Sequence, residues 1–239
     1  MYKFEFSDLV IEVTQKCNMH CAHCLRGHGH NKDIDMKYVD KLLRNTSCIS
    51  SLTFTGGEPS LNLDAIRKTR LLCEKYNISV GSFYLVTNGK DITMDFINEM
   101  LLWYAFCDYP DEPIGGVALS KDNFHEPIPE KNEKLLRALS FFTEDKITDF
   151  EEISLVNLGN AKSLPAHYKK HTPWFPDVDV EIAHYKDTSV ISVNSTVTLN
   201  CDGIMLRGCD YEFDHIDDIT IGCVSNIKTL KSNFSKIAS

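Results

Sequence analysis

Three cysteines are packed into eight residues near the start of the chain, Cys17-Asn18-Met19-His20-Cys21-Ala22-His23-Cys24, in the spacing C-x3-C-x2-C. Thiolates converging from one short loop suit a cubane iron–sulfur cluster, a [4Fe-4S] centre in which three irons are protein-bound and the fourth stays open to a ligand. Zinc is the competing ion. A structural zinc site wants four closed ligands, and His20 or His23 could complete such a set only by straining an already short loop. The soft donor set therefore favours iron and sulfide over zinc. The chain holds 9 cysteines. An odd count with three so close together argues for metal ligation in a reducing compartment rather than for disulfides.

Other segments carry groups able to bind or react. In Gly56-Gly57-Glu58-Pro59 the glycine pair lets backbone approach a ligand closely, and the carboxylate beside it can accept from an ammonium group. A plain strand-to-helix turn is the blander reading. In Ser120-Lys121-Asp122-Asn123-Phe124-His125-Glu126, His125 and Glu126 can orient a substrate or move a proton. The alternative is a capping loop with Asp122 as the cap and both residues solvated. Thr87-Asn88-Gly89 and Asn157-Leu158-Gly159-Asn160-Ala161 contain common turn dipeptides. His28 and His30, in the glycine-rich tail of the cysteine loop, read as loop residues rather than ligands.

These groups need a frame to hold them. Short runs rich in β-branched residues, 9–13, 52–55, 83–86, 117–119 and 153–156, read as strands buried on both faces. Between them Met36, Val39 and Leu43, then Ile97, Met100, Leu101 and Tyr104, then Leu135, Leu136, Leu139 and Phe142 recur at helical spacing. The segment 63–76 has the position and length of a further helix. Strand alternating with helix demands parallel pairing through right-handed crossovers, in a barrel-like array or a doubly wound sheet. Each motif falls just after a strand, where such folds gather their sites. After about residue 186 the pattern changes: Val193 to Leu199 alternates, Asp202-Gly203 signals a two-residue hairpin, Ile204 to Leu206 returns, and Ile227, Leu230, Phe234 and Ile237 share one helical face. A core over residues 1–186 with a hairpin-plus-helix extension over 187–239 is the expected organisation.

Composition narrows the partners. At 239 residues, with 43% hydrophobic and 25% charged side chains, the sequence is that of an ordinary globular protein. A net charge of −9 repels polyanions and argues against a nucleic-acid partner. The densest basic stretch, Lys162, His167, Lys169, Lys170 and His171, reads as a solvated helix face. No apolar run is long enough to span a bilayer and the N-terminus lacks the shape of a signal peptide, so a cytoplasmic location with no membrane partner is expected.

With C-x3-C-x2-C after the first strand and Gly-Gly-Glu-Pro after the second, the sequence resembles the radical S-adenosylmethionine (SAM) superfamily over residues 9–161. The resemblance implies a [4Fe-4S] cluster on Cys17, Cys21 and Cys24 with SAM on its open iron. It implies that Gly56, Gly57, Glu58 and Pro59 hold the amino group of SAM, and Asn88 stands in a Thr-Asn-Gly element many members carry. Ser120 and Asp122 are similar in position to residues that bind the ribose or carboxylate of SAM, and Asn157, Gly159 and Asn160 to a stretch near the adenine. One electron, from a reductase or flavodoxin-type donor, would then cleave SAM to a 5′-deoxyadenosyl radical that abstracts hydrogen, leaving the protein to position and exclude. His125 and Glu126 would face the substrate.

The C-terminal segment is similar to the SPASM or twitch extensions of this family, which points to a peptide substrate, with a nucleotide or small metabolite as runner-up. Cys201, Cys209 and Cys223 are fewer than an auxiliary cluster in such an extension uses, and packing is their expected role, as for Cys48, Cys73 and Cys107. The implied fold is α/β, a partial (β/α)6 barrel of the radical SAM type with a short C-terminal β-hairpin and helix. Outside the enzyme classes, the rival is a non-catalytic iron–sulfur or zinc module.

Overall fold

The run from Leu9 to Val13 is apolar but for Glu12 and offers water no polar face, and the first strand accordingly lies in the middle of a sheet, with Leu9, Ile11 and Val13 fully buried. The computed structural model describes residues 2–110, 115–144, 154–173, 175 and 177–238. Its elements run β1 (Tyr2–Thr14), α1 (Met36–Leu43), β2 (Thr46–Gly56), α2 (Leu63–Tyr76), β3 (Ser79–Thr87), α3 (Met94–Phe106), β4 (Gly116–Leu119), α4 (Glu130–Arg137), β5 (Phe142–Glu144), β6 (Leu155–Val156), β7 (Lys170–His171), β8 (Val180–His184), β9 (Ser189–Leu199), β10 (Ile204–Arg207), β11 (Thr220–Cys223) and α5 (Ile227–Ile237).

The main sheet has the order β11-β10-β9-β1-β2-β3-β4-β5, with β8 also paired to β9. The strands from β9 through β1 to β5 are parallel, and β8, β10 and β11 pair antiparallel at the other side. The protein is therefore α/β with a mostly parallel sheet. Among the described residues the parallel set of the main sheet numbers six strands, β9 and β1 to β5, and the sixth is supplied by the C-terminal third, beside β1. The sheet does not close on itself among the described residues.

Local signals explain the helices. Side-chain oxygens of Asp35, Asn62 and Thr93 accept from the first-turn N–H groups of α1, α2 and α3. Asn77, left-handed at φ 52°, ends α2. Trp103 of α3 is buried edge-on against Phe54 of β2, 5.1 Å between ring centroids, and Phe234 of α5 packs on Phe4 of β1 at 5.5 Å.

Four sequence expectations need correction. The helical pattern extended to Phe142, but α4 ends at Arg137, and Phe142 and Thr143 form β5 beside β4. Aromatic and β-branched residues on a half-buried sheet edge outweigh their match to a helical period. The fifth strand of the main sheet is thus β5. Leu155–Val156 pairs instead with β7 in a separate two-stranded sheet, and Ile153 lies outside the described residues. The basic stretch is not a helix: Lys162 sits in a short 3-10 turn and Lys170 in β7, its Nζ donating to the carbonyls of Lys162 (3.1 Å) and Leu164 (2.7 Å). The hairpin after β9 is a four-residue turn, because Asn200 Oδ1 accepts from both Asp202 N (3.0 Å) and Ile204 N (2.9 Å).

Candidate active site

The cysteine loop leaves the carboxyl end of β1 and is gripped from two sides by glycine-containing segments. On one side Gly57 N donates to the carbonyl of Thr14 (2.9 Å) and Glu58 N to that of Lys16 (2.8 Å). A Cβ on Gly56 would lie 2.1 Å from the Thr14 oxygen, and one on Gly57 2.4 Å from the Lys16 oxygen. The glycine pair thus serves close approach of backbone to backbone, where the sequence suggested approach to a ligand. On the other side Gly159, left-handed at φ 50°, would place a Cβ 2.4 Å from the Cys24 oxygen. Beside it Asn160 donates from its backbone N to Cys24 O (2.9 Å) and from Nδ2 to Cys21 O (3.1 Å).

Glu58 is 1% exposed and its carboxylate is engaged by the protein itself. Oε1 accepts from Ser60 N (3.0 Å) and the Thr87 hydroxyl (2.7 Å), and Oε2 from Asn88 N (2.7 Å). Burial raises its pKa, and these donors oppose the rise. Glu58 therefore ties the end of β2 to the end of β3. The tie carries Asn88 to the cysteines, with Nδ2 2.8 Å from Asn18 Oδ1 and 3.9 Å from Cys17 Sγ. Pro59 is buried at the first position of the turn that follows.

Beyond β4, Ser120 N donates to Thr87 O (2.9 Å). Asp122 bridges two imidazoles: Oδ1 lies 2.7 Å from His125 Nδ1 and Oδ2 3.4 Å from His23 Nε2. Burial disfavours the charged form of His125, but hydrogen bonding to Asp122 and contact with Cys21 outweigh it and raise its pKa to about 9. For His23 burial wins and the pKa falls. His23, Asp122 and His125 bring ligand atoms within 4.8 Å of one another and are a set that could also hold a cation. Glu126 is not brought there. It is exposed and ion-paired with Lys90, whose Nζ also donates to Asn18 O (2.7 Å). Asn157 is exposed too, its N–H spent on His171 O (2.9 Å).

A cavity of about 760 Å³ opens over the loop, lined by all three cysteines with Gly57, Arg26 and Phe213 among others. That volume suits a small-molecule site. Burial raises the thiol pKa of Cys17, partly offset by the Met19 N–H 3.4 Å from its sulfur, and burial likewise raises Cys24. A bound metal would supply the drive to deprotonate them. The three sulfurs do not all lie within 4.8 Å of one another. At a Zn–S distance of about 2.3 Å a single tetrahedral ion holds its sulfurs about 3.8 Å apart; thiolates on separate irons of a cubane stand wider. The donor set fits the cluster.

The sequence reading missed a second layer. Glu12 is fully buried in β1 and accepts from Gln15 Nε2 (3.0 Å), Cys201 N (3.0 Å) and the Tyr211 hydroxyl. Arg26 stacks on the Tyr211 ring, 3.9 Å to its centroid, and donates to Tyr211 O (3.0 Å). A charge within a strand buried on both faces was the available signal for Glu12. Nothing local flagged Tyr211 and Phe213. Cys201, buried and donating to Glu12 O (3.3 Å), packs as expected.

This sheet, with a thiol-lined cavity at the carboxyl ends of its parallel strands, defines a protein of the radical SAM type. A family model of the radical SAM superfamily matches residues 11–149, more than half of the chain, and the chain belongs to that superfamily. Membership implies SAM and an iron–sulfur cluster. The chain is 41% identical over 97 residues to an uncharacterised protein of Methanocaldococcus jannaschii, covering 39% of this chain and 34% of that one. It is 32% identical over 57 residues to an S-adenosylmethionine-dependent nucleotide dehydratase of Selenomonas ruminantium, covering 23% and 21%. The aligned segment thus spans about a third or less of these curated relatives. A solved structure of native anSMEcpe with bound AdoMet and Cp18Cys peptide superposes with a TM-score of 0.55 at 14% identity, over 98% of this chain and 82% of that one. That likeness is one of fold. No described helix is long and apolar enough to cross a membrane.

Proposed function

We propose that this chain is an enzyme that reductively cleaves SAM at a [4Fe-4S] cluster on Cys17, Cys21 and Cys24 and abstracts hydrogen from a substrate, with a peptide as the preferred class. The observation that carries it is the set of three thiols lining one cavity from a loop clamped on both sides. When bound, the cluster and SAM supply a 5′-deoxyadenosyl radical, and this hard chemistry needs no acid–base pair from the protein.

The chain's own residues position and exclude. Cys17, Cys21 and Cys24 hold the cluster. Gly57 and Asn160 line the cavity beside them, where SAM binds. Glu58 orients Asn88 against the loop, and the Ser120 to His125 segment closes the far side, Asp122 fixing the His125 ring by the contact to Nδ1. Gly56, Pro59 and Gly159 act by letting these segments pack, and Asn157 and Glu126 stand at the margin. The core over residues 1–186 carries the chemistry and the 187–239 extension braces it and faces the substrate. A cytoplasmic location with a reductase or flavodoxin-type electron donor completes the reading. A nucleotide or small metabolite is the second substrate class, favoured by the partial match to the nucleotide dehydratase.

The test is anaerobic reconstitution followed by dithionite reduction with SAM, measuring iron per chain and 5′-deoxyadenosine. The combined Cys17→Ala, Cys21→Ala and Cys24→Ala variant serves as control. Deoxyadenosine lost in the control supports the reading. A wild-type protein that takes up iron but neither binds nor cleaves SAM rejects it in favour of an electron-transfer module, and preference for zinc rejects it in favour of a structural site.

A further inference from the structure

Arg26 follows the third cysteine by two residues and is 9% exposed, yet among the described residues it pairs with no carboxylate. Its side chain spends Nη1 on Tyr211 O (3.0 Å), while the guanidinium face lies on the Tyr211 ring. Five N–H donors sit on a guanidinium. Arg26 lines the cavity over the cysteines, beside the thiols themselves. No Asp or Glu stands among the residues lining that cavity. Its other strong cation, Lys16, is already paired with Asp33. A buried fork of this kind is suited to a carboxylate or phosphate.

The C-terminal segment holds the fork in place. Phe213 N donates to Arg26 O (3.2 Å) and the Phe213 ring forms part of the cavity wall. Tyr211 is anchored in turn by its hydroxyl on buried Glu12. Arg26 is thus held by the 211–213 strap, which is itself anchored to β1 through Tyr211 and Glu12, with little side-chain entropy left to lose when an anion arrives.

Resting on the proposed function, we infer that Arg26 is an anion-binding residue, positioned by Tyr211 and Phe213 to grip a carboxylate or phosphate of the molecule that fills the cavity over the cysteines. The anion belongs either to SAM, as its carboxylate, or to the substrate.

The experiment is anaerobic calorimetric titration of iron-loaded wild type and Arg26→Gln, matched for iron content. SAM is titrated first, then pyrophosphate and succinate at saturating SAM. Arg26→Gln is expected to lose about 10- to 100-fold in affinity, the worth of a charge-assisted hydrogen bond. Loss for SAM assigns the anion to its carboxylate, and loss for pyrophosphate or succinate alone assigns it to the substrate. If Arg26→Gln does not load iron, Arg26→Lys, which keeps the charge but not the fork, decides with an intermediate loss in the same titrations. A variant that matches wild type for all three ligands overturns the inference and leaves Arg26 a brace for Tyr211, even if the cluster potential shifts. Should wild type fail to bind SAM, the proposed function falls, while the two anion titrations on iron-loaded protein still decide the role of Arg26.

Discussion

At the scale of single residues, the positions that matter most for the cluster are those that let backbone touch backbone. Gly159 sits at φ 50° with the Cys24 oxygen, the Gly27 nitrogen and the Leu25 oxygen each within 2.6 Å of where a Cβ would be. A Gly159→Ala substitution must therefore push the cysteine loop as well as occupy the left-handed region, which alone costs about 1 kcal/mol. We expect it to lower iron uptake on reconstitution by half or more while far-ultraviolet circular dichroism stays that of wild type; unchanged iron and absorbance would show the loop to be tolerant. The cysteines, the glycine pair and Asn160 were legible in the sequence as members of motifs. What each does physically was less so. Glu58 looks like a free acceptor in a linear motif, and only the fold brings Ser60, Thr87 and Asn88 to its oxygens. His125 and Glu126 are adjacent in sequence and point to different partners, Asp122 and Lys90. Adjacency cannot reveal such a split.

Among the elements, those with strong periodicity or continuous apolar runs were readable, and the bounds of α2 agree with the segment expected for it. The failures were short. β5 and β6 are three and two residues long, and their partners lie in other parts of the chain, so no local pattern specifies them. The parallel pairing of β9 with β1 is the larger lesson, since alternation in 193–199 showed a strand but not its neighbour. That pairing is locked by polar contacts the apolar pattern conceals. Cys201 N and the Tyr211 hydroxyl both end on the Glu12 carboxylate, joining the start of the hairpin and the strap beyond it to β1. Tyr211→Phe keeps the ring under Arg26 and removes only the hydroxyl, leaving a buried carboxylate one donor short. It should lower the unfolding free energy by about 1–3 kcal/mol, read from the urea midpoint at constant slope. A change within error would mean that Glu12 is satisfied by Gln15 and Cys201 alone.

Over the whole molecule, eight of the nine thiols, all but the half-buried Cys48, sort by environment into those able to take up metal and those that only pack, and this partition is open to direct test. Burial pushes the thiols of Cys73 and Cys107 up to about 12 and raises that of Cys201 further, so these three are expected to stay unlabelled by iodoacetamide in the folded protein. Cys17, Cys21 and Cys24 are partly exposed around an open cavity and should label in metal-free protein. Cys209 and Cys223, exposed and half-buried at the surface of the extension, should label as well. Iron loading then separates the two groups: a single cluster on the loop protects Cys17, Cys21 and Cys24 and leaves Cys209 and Cys223 as reactive as before, site by site in peptide mass spectra. Protection that extends to Cys209 and Cys223 would place a second cluster in the extension and revise their packing role. Reactivity of the loop thiols undiminished by iron would remove the cluster from Cys17, Cys21 and Cys24, and with it the reading of the cavity they line.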